Sequence, residues 1–373
     1  MTDPLSDSST DALIVGGGPA GLAAALALRQ RGIDCVVVDA MTPPIDKACG
    51  EGLMPDAISS LASLGLSIKE EDGFAFKGIR FANATHQVDA AFPEGNGIGV
   101  RRTRLHERLA QHAHDQGVRL RWNSRISPVS GRTALINGKE ISFRWLIGAD
   151  GQASSVRRWA NLDHTLQKKL RYGFRRHYRI TPWSDFVEVH WAAAGQLYLT
   201  PVSADSVCVV FVTRDLKQDR TDILASFPEI AERLKDAPLL SQQRGAVSAT
   251  RKLRRVTNET VALIGDASGS VDAVTGEGLA MSFRQAHALA AAIEAGSLEQ
   301  YAIAHRRIGR LPHTMGSLML TMDRWHSIED RAIGALASAP ELFRELLSVH
   351  LGTNSLLKFA FSRGPQFGWK LIS

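Results

Sequence analysis

The chain has 373 residues, 44% hydrophobic and 22% charged, with Lys+Arg 44 against Asp+Glu 38 and a formal net charge of +6. These proportions exclude disordered, fibrous and small disulfide-framework proteins; the basic excess suits an anionic ligand and is too slight to indicate nucleic acid. Three cysteines, Cys35, Cys49 and Cys208, lack any C-x-x-C spacing, so neither a disulfide framework nor a metal site is expected. The acidic start MTDPLSDSSTD carries no export signal, and no apolar run reaches the ~18 residues that span a bilayer. The expectation is a cytoplasmic protein, with peripheral membrane contact left open.

In chain order, residues 11–15 read as a strand, 20–31 as an Ala/Leu-rich helix stopped by Gly32, and 33–39 as a second strand, which completes a βαβ unit. A helix over 103–116, capped at Thr103, puts Leu105, Leu109 and Ala113 on one face; a strand at 118–122 follows. Asn137-Gly138 marks a type I′ hairpin within 133–143, and a strand at 144–149 delivers Asp150. Residues 73–92 and 170–215 turn to β character, with strands over 172–180, 186–191, 196–200 and 207–212. A helix at 223–235 and a basic connector at 251–255 lead to a buried strand at 261–264, and from 278 onward the chain is mainly helical.

Gly16-Gly17-Gly18-Pro19-Ala20-Gly21 fits G-x-G-x-x-G at a strand-to-helix junction, with Asp39 ending the second strand. Gly16 makes the tight turn, Gly18 admits a pyrophosphate to the helix N-terminus, Gly21 allows close packing, and Asp39 takes ribose hydroxyls. Together with this fingerprint, Gly148-Ala149-Asp150-Gly151, then Ile264-Gly265-Asp266-Ala267 and Thr275-Gly276-Glu277-Gly278-Leu279, resemble the three-part signature of the flavoprotein hydroxylases typified by p-hydroxybenzoate hydroxylase. The resemblance spans residues 11–295 and implies non-covalent FAD, bound by Gly16, Gly18, Pro19, Ala20, Gly21, Asp39, Asp150, Gly265, Asp266, Gly276, Gly278 and Leu279, with Asp266 on the ribityl chain. Arg102 matches the arginine that lies near FAD in that family.

The fold this implies is α/β: a Rossmann-like FAD-binding domain of the glutathione reductase type, with a β-sheet substrate domain inserted and a helical C-terminus. The expected division is 10–72, 93–168 and 250–300 for the FAD domain, 73–92 and 169–249 for the substrate domain, and 301–373 for the helical segment.

Lys47-Ala48-Cys49-Gly50-Glu51-Gly52 resembles the K-x-C-G-[DE] segment of the geranylgeranyl reductases, a branch that saturates isoprenoid double bonds and carries that cysteine near its flavin. The Y-x-W-x-F-P motif of that branch is replaced here by Gln196-Leu197-Tyr198-Leu199-Thr200-Pro201, and Ala273 stands where most family members have proline. The leading expectation is therefore an NADPH- or NADH-dependent monooxygenase acting on an aromatic or polyketide-like small molecule through a C4a-hydroperoxyflavin. The alternative is a double-bond reductase acting on an isoprenoid or lipid-like substrate; a halogenase or non-catalytic flavin scaffold ranks lower. Cys49, His190 and Tyr198 are the candidate catalytic residues, and alternation sends His190 and Trp191 to opposite sheet faces. The end of the chain interleaves Leu357, Phe361, Phe367, Trp369 and Leu371 with Lys358, Arg363 and Lys370, a pattern for packing on the body or for contact with a membrane surface.

Overall fold

The computed structural model describes residues 8–215 and 220–372, so the first seven residues of the acidic leader lie outside the described residues. Short Val/Ile/Leu runs form a seven-stranded, mainly parallel sheet ordered Thr257–Asn258, Val261–Leu263, Lys139–Gly148, Ser9–Val15, Cys35–Val38, Arg119–Arg121, with Thr133–Ile136 beside Lys139–Gly148. Its central strands are buried because helices Pro19–Arg29, Arg102–Asp115 and Gly278–Glu294 pack around them, as parallel strands require. Asn137 at φ 49° and Gly138 at φ 84° take the left-handed pair that a type I′ turn needs. The second hairpin arm runs on without a break to Gly148, so the strands expected at 133–143 and 144–149 share one element.

A second seven-stranded sheet follows the order Arg244–Leu253, Thr165–Arg179, Ser206–Thr213, Gly195–Ser203, Phe186–Ala192, Gly78–Ala82, Gln87–Ala91. All its pairs are antiparallel except Phe186–Ala192 with Gly78–Ala82. The basic run at 251–255 is not simply a connector: residues to Leu253 belong to an edge strand, where charged side chains are tolerated and discourage further pairing. The helix expected at 223–235 is two, Arg220–Ala225 and Pro228–Leu234, since Pro228 starts the second and cannot continue the first. Phe74–Phe76 leaves the large sheet and pairs with Gly97–Gly99, which also pairs with Gly52–Leu53.

Burial on two faces explains why Gly195–Ser203 and Ser206–Thr213 read as continuous apolar strands. One face, with Val189, Tyr198, Val210 and Val212, packs toward helices His326–Ala337 and Pro340–His350. The other, with Leu197, Leu199, Val209 and Phe211, lies under the two short helices. Helix Leu298–Arg324 and two short terminal helices, Leu356–Ser362 and Gly364–Ile372, complete the described chain, and no described helix is long and apolar enough to cross a membrane.

Candidate active site

The first glycine loop is held by sterics. A Cβ on Gly16, at φ 111°, would meet the Ala149 carbonyl at 2.4 Å, and one on Gly21 would lie 1.9 Å from the Gly16 carbonyl, whereas a Cβ on Gly18 faces open space. The space above Gly18 leaves the N-terminus of helix Pro19–Arg29 accessible to a phosphate. Asp39 accepts the Gly17 N–H at 2.7 Å and the Met41 N–H at 2.8 Å, which fixes its carboxylate at the strand end. From helix Arg102–Asp115, His106 Nε2 donates to the Gly17 carbonyl at 2.9 Å, and burial lowers its pKa below the usual imidazole value.

Asp266 sits in a tight turn, Gly265–Ser268, with Oδ2 3.4 Å from Lys47 Nζ. Gly276, at φ 66°, turns the chain into helix Gly278–Glu294, whose N-terminal glycine has no atom within 4 Å of a Cβ position. Asp150 lines the groove, and its carboxylate accepts Ser154 Oγ and the Ser155 and Val156 N–H groups at the start of helix Ser155–Trp159. Arg102 faces the groove, and its buried Nε has no partner among the described residues. A buried guanidinium nitrogen with no acceptor, beside two open helix N-termini, fits an anionic dinucleotide.

The groove continues into one cavity of about 1100 Å³. All the cofactor residues expected from sequence line it except Gly21 and Gly265, which pack behind it. Away from the glycine loops the wall is apolar: Phe81, Val189 and Val212 from the second sheet face Met319, Leu336 and Phe343 from the C-terminal helices. Met54, Met315 and Met322 add further flexible, adaptable wall. Leu318 and Ile328 line the cavity yet are 53% and 40% exposed, which marks its mouth on the face formed by the C-terminal helices.

Cys49 and Tyr198 line this cavity, and His190 does not. His190 occupies the opposite sheet face, with Nε2 2.8 Å from Glu188 and its ring edge-on to Phe227, so the expectation of a catalytic His190 is corrected by strand alternation. Tyr198 Oη donates to Gln196 Oε1 at 2.8 Å, and burial raises the phenol pKa well above its usual value. Behind it, buried Arg171 donates to Asp272 and Gln196, both at 2.9 Å, and so ties the sheet to the loop before Gly276.

Two buried clusters escaped the sequence reading. In the first, Glu51, at φ 62° and 3% exposed, accepts Arg175 Nη1 at 2.9 Å and the Arg102 N–H at 3.0 Å through Oε1. Its Oε2 lies 2.7 Å from His177 Nε2, whose Nδ1 is 2.8 Å from Ser241 Oγ. Burial works to raise the Glu51 pKa, but bonding and charge from His177, with Arg102 N–H and Arg175, outweigh it and hold the carboxyl below its usual range. Cys208 completes a Glu51–His177–Cys208 group of potential metal ligands, but Arg175 and His177 already engage both carboxylate oxygens. That bonding describes an ion-pair cluster. The available signal was the period-2 row Arg171, Arg175, His177 on one strand, charges that need partners if they face inward.

In the second cluster, Glu277, 1% exposed, lies 3.0 Å from Arg284, which is 3.8 Å from Asp56, and 3.4 Å from His350 Nε2. His350 also donates to the Thr275 carbonyl at 2.9 Å, anchoring helix Pro340–His350 to the glycine-rich loop.

A family model described as FAD binding domain matches residues 9–297, over half of the chain. The protein belongs to this FAD-binding family. FAD is the cofactor this domain takes. The chain is 35% identical over 191 residues to menaquinone reductase of Mycobacterium tuberculosis (strain ATCC 25618 / H37Rv), covering 48% of this chain and 46% of that protein. The match thus spans less than half the length of that relative. It is 25% identical over 395 residues to digeranylgeranylglycerophospholipid reductase of Methanosarcina acetivorans, covering 97% and 95% of the two chains. The fold is shared with a solved flavoprotein/dehydrogenase of Cytophaga hutchinsonii at TM-score 0.79 and 21% identity, covering 92% and 93%.

Proposed function

We propose that this enzyme reduces a carbon–carbon double bond in an isoprenoid or other lipid-like substrate, drawing electrons from NADPH or NADH. The observation that carries this reading is the apolar extension of the cofactor cavity, walled by Phe81, Met319, Leu336 and Phe343 and open beside Leu318 and Ile328. It suits a long hydrocarbon better than a compact polar ring. The alignment with digeranylgeranylglycerophospholipid reductase, over 97% of this chain, supports the same choice.

When bound, FAD supplies a hydride equivalent to one olefinic carbon. Gly16, Gly18, Asp39, Arg102 and Asp266 hold the cofactor, and the apolar wall orients the chain and excludes water. Cys49, on the cavity wall, delivers the proton to the second carbon from Sγ, so that two electrons and two hydrogens cross the double bond. Tyr198 packs the substrate rather than donating, since its proton is engaged by Gln196 and burial makes the phenol a weaker acid.

The reduced holoenzyme mixed anaerobically with isoprenoid olefins tests this: reoxidation of the flavin by the olefin, with a product heavier by two hydrogens, is expected. A product gaining an oxygen atom only when O₂ is admitted would return the monooxygenase reading.

The two terminal helices, the second of which lines the cavity through Phe367 and Leu371, carry Leu357, Phe361 and Trp369, which are 70%, 84% and 75% exposed. Lys358 and Lys370 stand among them. Exposed apolar and aromatic side chains interleaved with lysine suit an anionic membrane surface from which an apolar substrate enters. The protein is expected to co-sediment with anionic liposomes in a salt-sensitive manner, and a chain ending at Lys358 to keep FAD and lose sedimentation. Equal sedimentation of both, or of neither, would remove membrane contact from the proposal.

A further inference from the structure

Glu51 occupies a backbone conformation that an L-residue with a long side chain rarely takes, at φ 62°. Glycine or asparagine would fill a left-handed turn at less cost, so the turn alone does not explain a glutamate here. Its side chain is engaged at both oxygens by groups from two separate parts of the fold. Arg175 and His177 come from strand Thr165–Arg179 of the second sheet, and the Arg102 N–H is at the start of helix Arg102–Asp115, against the cofactor groove. Its backbone N–H lies 3.4 Å from Cys49 Sγ. Arg175 also reaches Asp46 at 2.9 Å, so the same guanidinium pins both ends of the loop that carries Cys49.

We propose that Glu51 is a positioning residue: together with Arg175 and His177 it fixes the Cys49 thiol against the cavity wall and locks the substrate sheet to the cofactor half at that point. The effect on turnover rests on the proposed role of Cys49, whereas the placement of the thiol does not. The two are separated by reading alkylation and catalysis independently.

Cys49 is partly accessible, whereas Cys35 and Cys208 are buried, so iodoacetamide followed by peptide mass spectrometry of the FAD-loaded protein reports on Cys49. Glu51→Gly keeps the left-handed turn and removes the carboxylate. It is expected to retain FAD and to raise the Cys49 alkylation rate at least about fivefold, as the loop opens more often. Glu51→Gln, whose amide oxygen still accepts from Arg175, is expected to return most of the protection. His177→Gln leaves the turn and carboxylate in place, and a rise of about twofold is expected. In steady-state assays the Glu51→Gly loss should appear in kcat with KM little changed, because the apolar wall supplies binding. If Glu51→Gly fails to fold, the other two variants decide. Wild-type alkylation rates in Glu51→Gly, or in His177→Gln where Glu51→Gly cannot be purified, would overturn the proposal. Altered alkylation with unchanged kcat would leave the positioning intact and refute the proton-donor role of Cys49.

Discussion

Glu277 offers a quantitative test of how the C-terminal layer is joined to the cofactor loop. Burial raises its carboxyl pKa from 4.5 to about 7; Arg284 pulls the other way and Asp56 adds to the rise. Since the folded pKa exceeds the unfolded one, the folded state binds more protons between these values. Stability from this group is therefore greatest below pH 4.5, and is lost as pH rises to about 7. At 1.36 kcal/mol per pH unit the full penalty is about 3 kcal/mol, most of it developing between pH 5 and 8. Glu277→Gln removes the titration while keeping an acceptor for Arg284. It also relaxes Asp56, whose carboxyl pKa is likewise raised by burial, so the net change is smaller. The expected outcome is that the variant gains about 2 kcal/mol on wild type between pH 5 and pH 8, read as the difference between urea unfolding free energies at the two pH values. Comparing variant with wild type cancels the titrating groups remote from Glu277, including Glu51 and Asp46, whose depressed pKa values act in a lower pH range. Identical pH dependence in the two proteins would refute burial of an ionisable Glu277 as the cause.

Gly21→Ala should abolish FAD binding, because its Cβ would lie 1.9 Å from the Gly16 carbonyl, a backbone atom that cannot move without rebuilding the phosphate loop; flavin absorbance after titration with FAD measures this. Asp266→Ala is expected to lose most bound flavin while keeping the fold, checked by absorbance and circular dichroism. Cys49→Ser should lower turnover at least ~tenfold, about 1.4 kcal/mol of transition-state stabilisation, with flavin content unchanged. Unaltered turnover would leave Cys49 as cavity lining.

The cofactor half was legible in the sequence because its constraints are local. A G-x-G-x-x-G loop can form only one kind of turn, and Gly16 and Gly21 are excluded from carrying a Cβ by atoms a few residues away or on the neighbouring strand. Asn137-Gly138 likewise announced its own hairpin. The second sheet and the C-terminal helices depend on pairs far apart in the chain. His190 is a candidate because its strand belongs to the sheet expected over the flavin, and only strand registry and the packing of the segment before Pro228 show that its ring faces Phe227. Glu51 meets His177 across 126 residues, and Glu277 meets His350 through a helix whose docking no local pattern specifies. Arg171, Arg175 and His177 alternate correctly for one face, but polar residues at period 2 ordinarily indicate a solvated face; here that face is inward and each charge has a buried partner.

The methionine wall has a consequence for how the enzyme ages. Met54, Met315, Met319 and Met322 line the same cavity as the cofactor groove. Oxidation converts a thioether into a polar, chiral sulfoxide, so each event would replace a compliant patch of hydrocarbon-like surface with a dipole that retains water. Damage of this kind would spare the glycine loops that hold the flavin and erode the fit for a greasy chain. Methionine sulfoxide reductases reverse it, making repair of the wall, rather than replacement of the protein, a means of restoring the apolar cavity.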